Sequence, residues 1–136
     1  MTAEKIDHIG IAVSSIEERL PYYRDILGLE YVGEEIVVEQ KVRVAFLQVG
    51  ESRIELLEPT SEDSPIAKFL EKRHEGIHHV SVKVKNIKSA LAKHEAAGSQ
   101  LIDSEPRKGA HGMLIAFVHP NSTGGVLLEL SQEPDT

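Results

Sequence analysis

Apolar and polar positions alternate along two similar segments, residues 6–13 and residues 77–84. A period of two is typical of a β-strand with one buried face. In the first segment the two faces carry Ile9, Ile11 and Val13 on one side and His8, Gly10 and Ala12 on the other. In the second they carry Val80, Val82 and Val84 on one side and His79, Ser81 and Lys83 on the other. We expect the branched residues to pack beneath helices and the histidine faces to line the hollow of a curved sheet.

A helical pattern follows each of these strands and ends at a glycine. The first helix is predicted over residues 15–27, because Ser15 and Glu18 have capping-box spacing and Gly28 follows its end. Pro21 lies inside this stretch, so it should bend the helix or mark a short first turn.

The second helix is predicted over residues 87–97, with Asn86 as its N-cap and the next glycine as its stop. A linking helix is predicted between the two halves, at about residues 64–75. Its start is indicated by Ser64 followed by Pro65, since proline is common at the first helical position.

Two further strand-like segments complete each half of the chain. Residues 42–47 resemble residues 113–118, and each half ends with a strand that carries one acid, at residues 54–57 and 127–130. Each half is therefore predicted to be a βαβββ repeat. Two such repeats predict an α+β fold in which a curved mixed sheet surrounds a site.

The length of the chain bounds its organisation. At 136 residues it has the size of one ordinary domain and can bury a core without disulfides. We predict a single domain over residues 1–136, with the first repeat at about 5–60 and the second at about 76–131.

Each repeat places one histidine on its first strand and one glutamate on its last. The glutamates, Glu55 and Glu129, lie among leucines and isoleucine. A carboxylate in such surroundings is costly to bury unless it is paired or binds a metal. If the repeats pack about a pseudo-two-fold axis, His8, Glu55, His79 and Glu129 can converge. Imidazole and carboxylate together suit a first-row divalent ion or a hard cation with open water positions.

Each of these residues also has an ordinary structural interpretation. A single strand histidine is more often structural or exposed, and a single strand glutamate usually lies on a solvated face. It is the repeated placement that favours a metal site. The neighbouring His78 falls on the apolar face of its strand. His111 lies in a glycine-flanked loop, where it could contact a substrate or could equally be an ordinary residue of a mobile loop.

Composition and charge exclude several classes of protein. The chain has no cysteine, which excludes disulfides, thiolate metal sites and cysteine nucleophiles. Its net charge of −7 argues against nucleic acid or an anionic membrane as a partner. The N-terminal residues lack the pattern of a signal peptide, and no apolar run approaches the length of a membrane span. We expect a cytoplasmic protein.

Several stretches of the chain resemble the vicinal oxygen chelate superfamily and, within it, the methylmalonyl-CoA epimerases. The paired layout and the four candidate ligands are superfamily-wide, whereas Ser-Pro-Ile-Ala-Lys-Phe-Leu at 64–70 and Gly-Ala-His-Gly at 109–112 are more specific to the epimerases. The other stretches that carry the resemblance are residues 6–8, 54–59, 76–79 and 119–130.

The resemblance implies an isomerase that interconverts (R)- and (S)-methylmalonyl-CoA. The proton alpha to the thioester would be removed through an enolate that a divalent metal stabilises. The metal implied is cobalt or manganese, with nickel, zinc or magnesium as alternatives. The resemblance also implies an acyl-CoA substrate, a homodimer and a role in propionate metabolism. The implied ligands are His8, Glu55, His79 and Glu129. Glu129 is our first choice as catalytic base and Glu55 our candidate on the opposite face of the substrate.

Two positions depart from the family pattern. Some members carry glutamine where Glu55 stands, and some have a glutamate base at the position of Val44. The second base is therefore open. The phosphates of coenzyme A need cationic contacts, and Lys41, Arg43, Arg107 and Lys108 flank the predicted strands and loop, although a solvated charged edge explains them equally well.

Other functions of the same superfamily remain as alternatives. Glyoxalase I (lactoylglutathione lyase) has the same style of four-ligand site, but the linking helix here resembles the epimerases. An extradiol oxygenase uses two histidines and one carboxylate, and a fourth ligand would leave less room for oxygen. A non-catalytic small-molecule-binding module, such as a drug-sequestering protein, would need no metal.

Overall fold

The computed structural model describes residues 3–134. These residues form two compact units, one made of residues 8–78 and the other of the residues before and after that range. The strands are β1 Ala3–Ala12, β2 Glu30–Val37, β3 Val42–Val49, β4 Ser52–Pro59, β5 Gly76–Val84, β6 Arg107–Lys108, β7 Leu114–Val118 and β8 Leu128–Gln132. The helices are α1 Ile16–Pro21, α2 Pro65–Arg73 and α3 Ile87–Ala96. Both repeats thus have the βαβββ order and the α+β class predicted from the sequence.

The unit of residues 8–78 contains a mixed sheet with strand order β2-β3-β4-β1. β1 runs parallel to β4, and the other neighbours are antiparallel. One side of this sheet packs against α1 in a core of Val13, Ile16, Leu20, Ala45, Leu47 and Leu56, with Ile11 packed against it. The branched face of β1 therefore lies beneath the helix, as the alternation predicts, because burying this apolar surface drives the packing.

The other unit repeats the arrangement with strand order β5-β8-β7-β6. β5 runs parallel to β8, and β7 is antiparallel to both β6 and β8. Its core consists of Val84, Ile87, Ala90, Leu91, Ala116, Val118 and Leu130, which joins α3 to one side of the sheet.

The helix starts follow the predicted caps. Ser15 accepts a hydrogen bond from the backbone of Glu18, Asn86 caps α3 through Ser89, and the buried Ser64 caps α2. These side chains satisfy backbone N–H groups that have no partner within the helix. Among the described residues, no helix combines the length and apolar composition that crossing a membrane requires.

Two helices end earlier than the sequence pattern indicates. α1 stops at Pro21, and the chain continues as a π-helical turn, Tyr22–Ile26, because proline cannot supply the N–H of a regular helical bond. α2 stops at Arg73, since His74 takes a positive φ of 64° that ends the helix ahead of Gly76.

The core beneath α1 gives a prediction for stability. Leu47 is fully buried there, so Leu47→Ala should lower the free energy of unfolding by about 2–5 kcal/mol through lost burial and an unfilled cavity. Urea unfolding followed by circular dichroism measures this. Val38→Ala, at a position that is 78% exposed, is the control and should change stability by less than about 0.5 kcal/mol. Equal effects of the two substitutions would contradict the assigned core.

Candidate metal centre

A buried histidine–glutamate pair lies between β1 and β4 in the unit of residues 8–78. The parallel register sets Gly10 opposite Glu55. The Nδ1 atom of His8 lies 3.2 Å from Oε2 of Glu55, and the two side chains are 8% and 5% exposed. Both side chains project from the face of the sheet opposite the core beneath α1.

A second pair lies between β5 and β8 in the other unit. Here the register sets the small residue Ser81 opposite Glu129. The Nε2 atom of His79 lies 3.7 Å from Oε2 of Glu129, and the two side chains are 7% and 5% exposed. The ring of His79 also meets the ring of Phe117 edge to face, with centroids 5.5 Å apart. This packing limits the orientations that the imidazole can adopt.

The chemistry of the two pairs fits a divalent cation. Each pair offers an imidazole nitrogen and a carboxylate oxygen, which are ligands that first-row metals accept. Both glutamates are almost completely buried, and burying a carboxylate without compensation is costly. A divalent ion would supply that compensation at either pair. Within each unit, the histidine of the first strand thus lies beside the glutamate of the last strand. The convergence of all four side chains on one ion stays a prediction.

Glu55 has a further partner that the sequence reasoning missed. Arg53 donates hydrogen bonds from Nε and Nη2 to Oε2 of Glu55, at 3.2 and 3.1 Å. A signal for this contact was present, because residues two apart on a strand share a face. The aromatic neighbours were missed as well: Phe46 lies opposite Glu55 on β3, and Phe117 lies opposite Glu129 on β7.

His78 and His79 have different environments although they are adjacent. His78 packs edge to face against Phe69 of α2, with ring centroids 5.0 Å apart. Burial lowers the pKa of His78 to about 4, so this imidazole is neutral at physiological pH. Adjacent residues of a strand point to opposite faces of the sheet, so the two imidazoles have different surroundings. His78 lies beside Phe69 of α2, and His79 lies beside Glu129.

The remaining histidines lie outside these pairs. The ring of His94 lies 2.7 Å from the carbonyl oxygen of Ala90 within α3. The ring of His119 accepts a hydrogen bond from the backbone of Asn121, so this residue caps a short 3₁₀ turn. His111 is exposed and has a positive φ of 57° in the turn Ala110–Gly112.

Lys41, Arg43 and Arg107, which are candidate phosphate contacts, have acidic partners. Lys41 pairs with Asp63, whose pKa falls to about 2 through hydrogen bonds from Lys41 and Ser61. Arg43 lies 3.9 Å from Glu58 and 4.0 Å from Glu34, at the edge of a cleft of about 740 Å³ beside α1. Arg107 lies 3.3 Å from Asp103. These contacts favour the interpretation of a solvated charged edge.

The fold and the paired sites define the class of the protein. The model of the Glyoxalase/Bleomycin resistance protein/Dioxygenase superfamily matches residues 7–117. The chain belongs to this family. The predicted resemblance is therefore confirmed at the level of the superfamily.

Relatives within the family carry the resemblance further. The chain is 45% identical to the uncharacterized protein YqjC of Bacillus subtilis, over 94% of this chain and 91% of that protein. It is 39% identical to the ethylmalonyl-CoA/methylmalonyl-CoA epimerase of Cereibacter sphaeroides, over 94% of this chain and 97% of that protein. These alignments extend over nearly the whole chain.

A solved structure gives the same result in three dimensions. A variant of the Streptomyces coelicolor methylmalonyl-CoA epimerase, in complex with 2-nitronate-propionyl-CoA, superimposes with a TM-score of 0.93 at 37% identity. The match covers 97% of this chain and 96% of that one. At this level of identity and coverage, the two chains share a fold from end to end.

Proposed function

We propose that this protein interconverts the (R) and (S) forms of methylmalonyl-CoA. The observation that carries the proposal is the likeness over the full length to epimerases of this substrate, combined with a buried His–Glu pair in each repeat. The Streptomyces relative holds an acyl-CoA ligand, which supports a coenzyme A thioester as the substrate here. The cytoplasmic location and the homodimer implied by the resemblance stay predictions.

His8, Glu55, His79 and Glu129 are the proposed ligands of one divalent metal ion, cobalt or manganese. Their donor set supports this assignment, because two imidazoles and two carboxylates suit such an ion. The two carboxylates would balance its charge inside a buried site. When bound, the ion supplies Lewis-acid stabilisation of the negative charge that develops on the thioester oxygen.

The chain itself supplies the proton transfers. The reacting hydrogen lies between a thioester and a carboxylate, and inversion requires removal from one face of the carbon and delivery to the other. Glu129 is proposed to take the proton on one face, and Glu55 is its counterpart in the other repeat. Glu55 would deliver a proton to the opposite face, which forms a new C–H bond in place of the one that was broken. The carbon then has the same bonds with the opposite configuration, and no other reactant is consumed.

Glu55 is the proposed second acid–base group, and the nature of Val44 supports this assignment. Val44 lies on β3 and is almost completely buried, and its apolar side chain cannot transfer a proton. It is paired with Leu57 of β4, two residues from Glu55. The position where some family members have a glutamate base is thus apolar here, while a carboxylate occupies the position where some have glutamine.

A direct assay tests the proposed reaction against glyoxalase I. The purified protein, loaded with Co²⁺, is given either racemic methylmalonyl-CoA in deuterated water or the hemithioacetal of glutathione and methylglyoxal. We expect deuterium at the α-carbon of methylmalonyl-CoA and no lactoylglutathione. Turnover of the hemithioacetal alone would contradict the epimerase proposal.

Metal content separates the epimerase from a non-catalytic binding module. Such a module needs no metal, whereas the proposed enzyme should bind about one ion per chain when supplied with cobalt or manganese. Elemental analysis of protein purified after each supplement measures this. Protein that contains no bound metal after every supplement would support the binding module.

A further inference from the structure

Arg53 lies on β4 beside Glu55, on the same face of the strand. Its guanidinium contacts the Glu55 carboxylate through two nitrogens, and the Arg53 side chain is only 20% exposed. A contact of this kind at an almost buried carboxylate is stronger than a surface ion pair, because little water competes for the donors.

Three nitrogen atoms converge on one oxygen of Glu55. Oε2 lies within 3.2 Å of Nε and Nη2 of Arg53 and of Nδ1 of His8. Contacts concentrated on one oxygen resist rotation of the carboxylate, because turning the group by half a revolution would exchange its two oxygens. Glu55 is therefore held in one orientation, with Oε1 as the oxygen that Arg53 does not contact.

An aromatic ring fixes the position of the guanidinium in turn. The central carbon of the Arg53 guanidinium lies 5.8 Å from the centroid of the Phe46 ring, within the range of a cation–π contact. Phe46 is almost completely buried and lies opposite Glu55 in the register of β3 and β4. The planar guanidinium of Arg53 therefore packs against the face of a rigid aromatic ring.

The other repeat uses its arginine differently. Arg107 lies 5.5 Å from the ring centroid of Phe117, the residue opposite Glu129. Its carboxylate partner is Asp103, at 3.3 Å. An arginine beside a phenylalanine thus occurs in both repeats, although Arg53 lies on β4 and Arg107 on β6.

We propose that Arg53 is a positioning residue that holds Glu55 in the orientation required to bind the metal, and thereby increases metal affinity. The inference rests on the proposed ligand role of Glu55. Partners of a metal ligand commonly contribute about 10- to 100-fold in affinity.

The test measures Co²⁺ binding to the metal-free protein by calorimetry and by visible absorption. Arg53→Met keeps much of the side-chain volume but removes the donors, and we expect its Co²⁺ affinity to fall about 10- to 100-fold. Arg53→Lys keeps the charge but lacks the planar fork, so it should also lose affinity and change the Co²⁺ spectrum. A gain in affinity in Arg53→Met would overturn the proposal, because charge repulsion would then outweigh orientation.

A double-mutant cycle decides whether Arg53 acts through Glu55. Glu55→Ala alone should lower Co²⁺ affinity, and adding Arg53→Met in that background should change it less than about twofold. An equal loss in both backgrounds would overturn the proposal, since Arg53 would then act on the fold in general. Arg24→Met is the matched control, because Arg24 pairs with its neighbour Asp25 on the surface and should leave Co²⁺ affinity unchanged.

The cycle also separates this inference from the proposed reaction. An unchanged affinity in Glu55→Ala would overturn the ligand role of Glu55 and the inference with it. The variants could give the expected cycle of Co²⁺ affinities while the Co²⁺-loaded wild-type protein fails to exchange the α-proton of methylmalonyl-CoA. That result would overturn the proposed reaction and leave the role of Arg53 in place.

Discussion

Glu129→Gln is expected to lower kcat for epimerisation by about 10²- to 10⁴-fold, the usual contribution of a positioned acid–base group. Glutamine keeps the shape of the side chain and an oxygen that can bind a metal, but its amide cannot accept the substrate proton. The almost complete burial of Glu129 beside His79 leaves little room for water to replace it. Assays at saturating Co²⁺ measure this effect apart from any loss of metal.

Isotope exchange assigns the two glutamates to the two faces of the substrate. Each epimer of methylmalonyl-CoA is incubated separately in deuterated water with Glu129→Gln or Glu55→Gln, and deuterium wash-in at the α-carbon is measured. We expect each variant to lose exchange mainly from one epimer. Glu133→Gln is the control, because Glu133 is exposed and pairs with Lys83. Unchanged exchange from both epimers in either site variant removes that residue from the mechanism.

Removal of the metal is expected to abolish epimerisation, and Co²⁺ or Mn²⁺ should restore it. The proposed charge stabilisation depends on the ion, and the side chains offer no equivalent Lewis acid. Chelation followed by readdition of single metals measures both effects. Full activity in protein shown by elemental analysis to contain no metal would contradict the proposed centre.

The same treatment should change stability. A ligand that binds only the folded state stabilises it by about 2.7 kcal/mol when present at 100 times its Kd. We therefore expect chelation to lower Tm and Co²⁺ to raise it again. His79→Ala should remove most of the Co²⁺-dependent rise, whereas His94→Ala should keep it, because His94 lies on α3 and bonds to its own helix. Equal Co²⁺ responses in the two variants would exclude His79 as a ligand.

The sequence predicted the fold because its local signals agree with each other. The alternation at residues 6–13 and 77–84, the N-caps Ser15 and Asn86, and the repeated order of elements all indicate one βαβββ unit used twice. The ends of the helices were less well predicted. α1 stops at Pro21 and α2 at Arg73, because helix ends depend on backbone geometry that propensity alone does not specify.

Sequence alone was enough to select the candidate ligands, because strand periodicity puts a residue on one face of its own strand whatever its neighbours are. His8, Glu55, His79 and Glu129 could be selected on that basis. Only the tertiary structure decided which residues are neighbours across strands, since that depends on register. It placed Arg53 and His8 on the same oxygen of Glu55, set Phe46 and Phe117 opposite the two glutamates, and sent His78 to Phe69 while His79 lies beside Glu129. A shift of one residue in register would move each side chain to the other face, so the pairs exist only through the packing of the folded sheet.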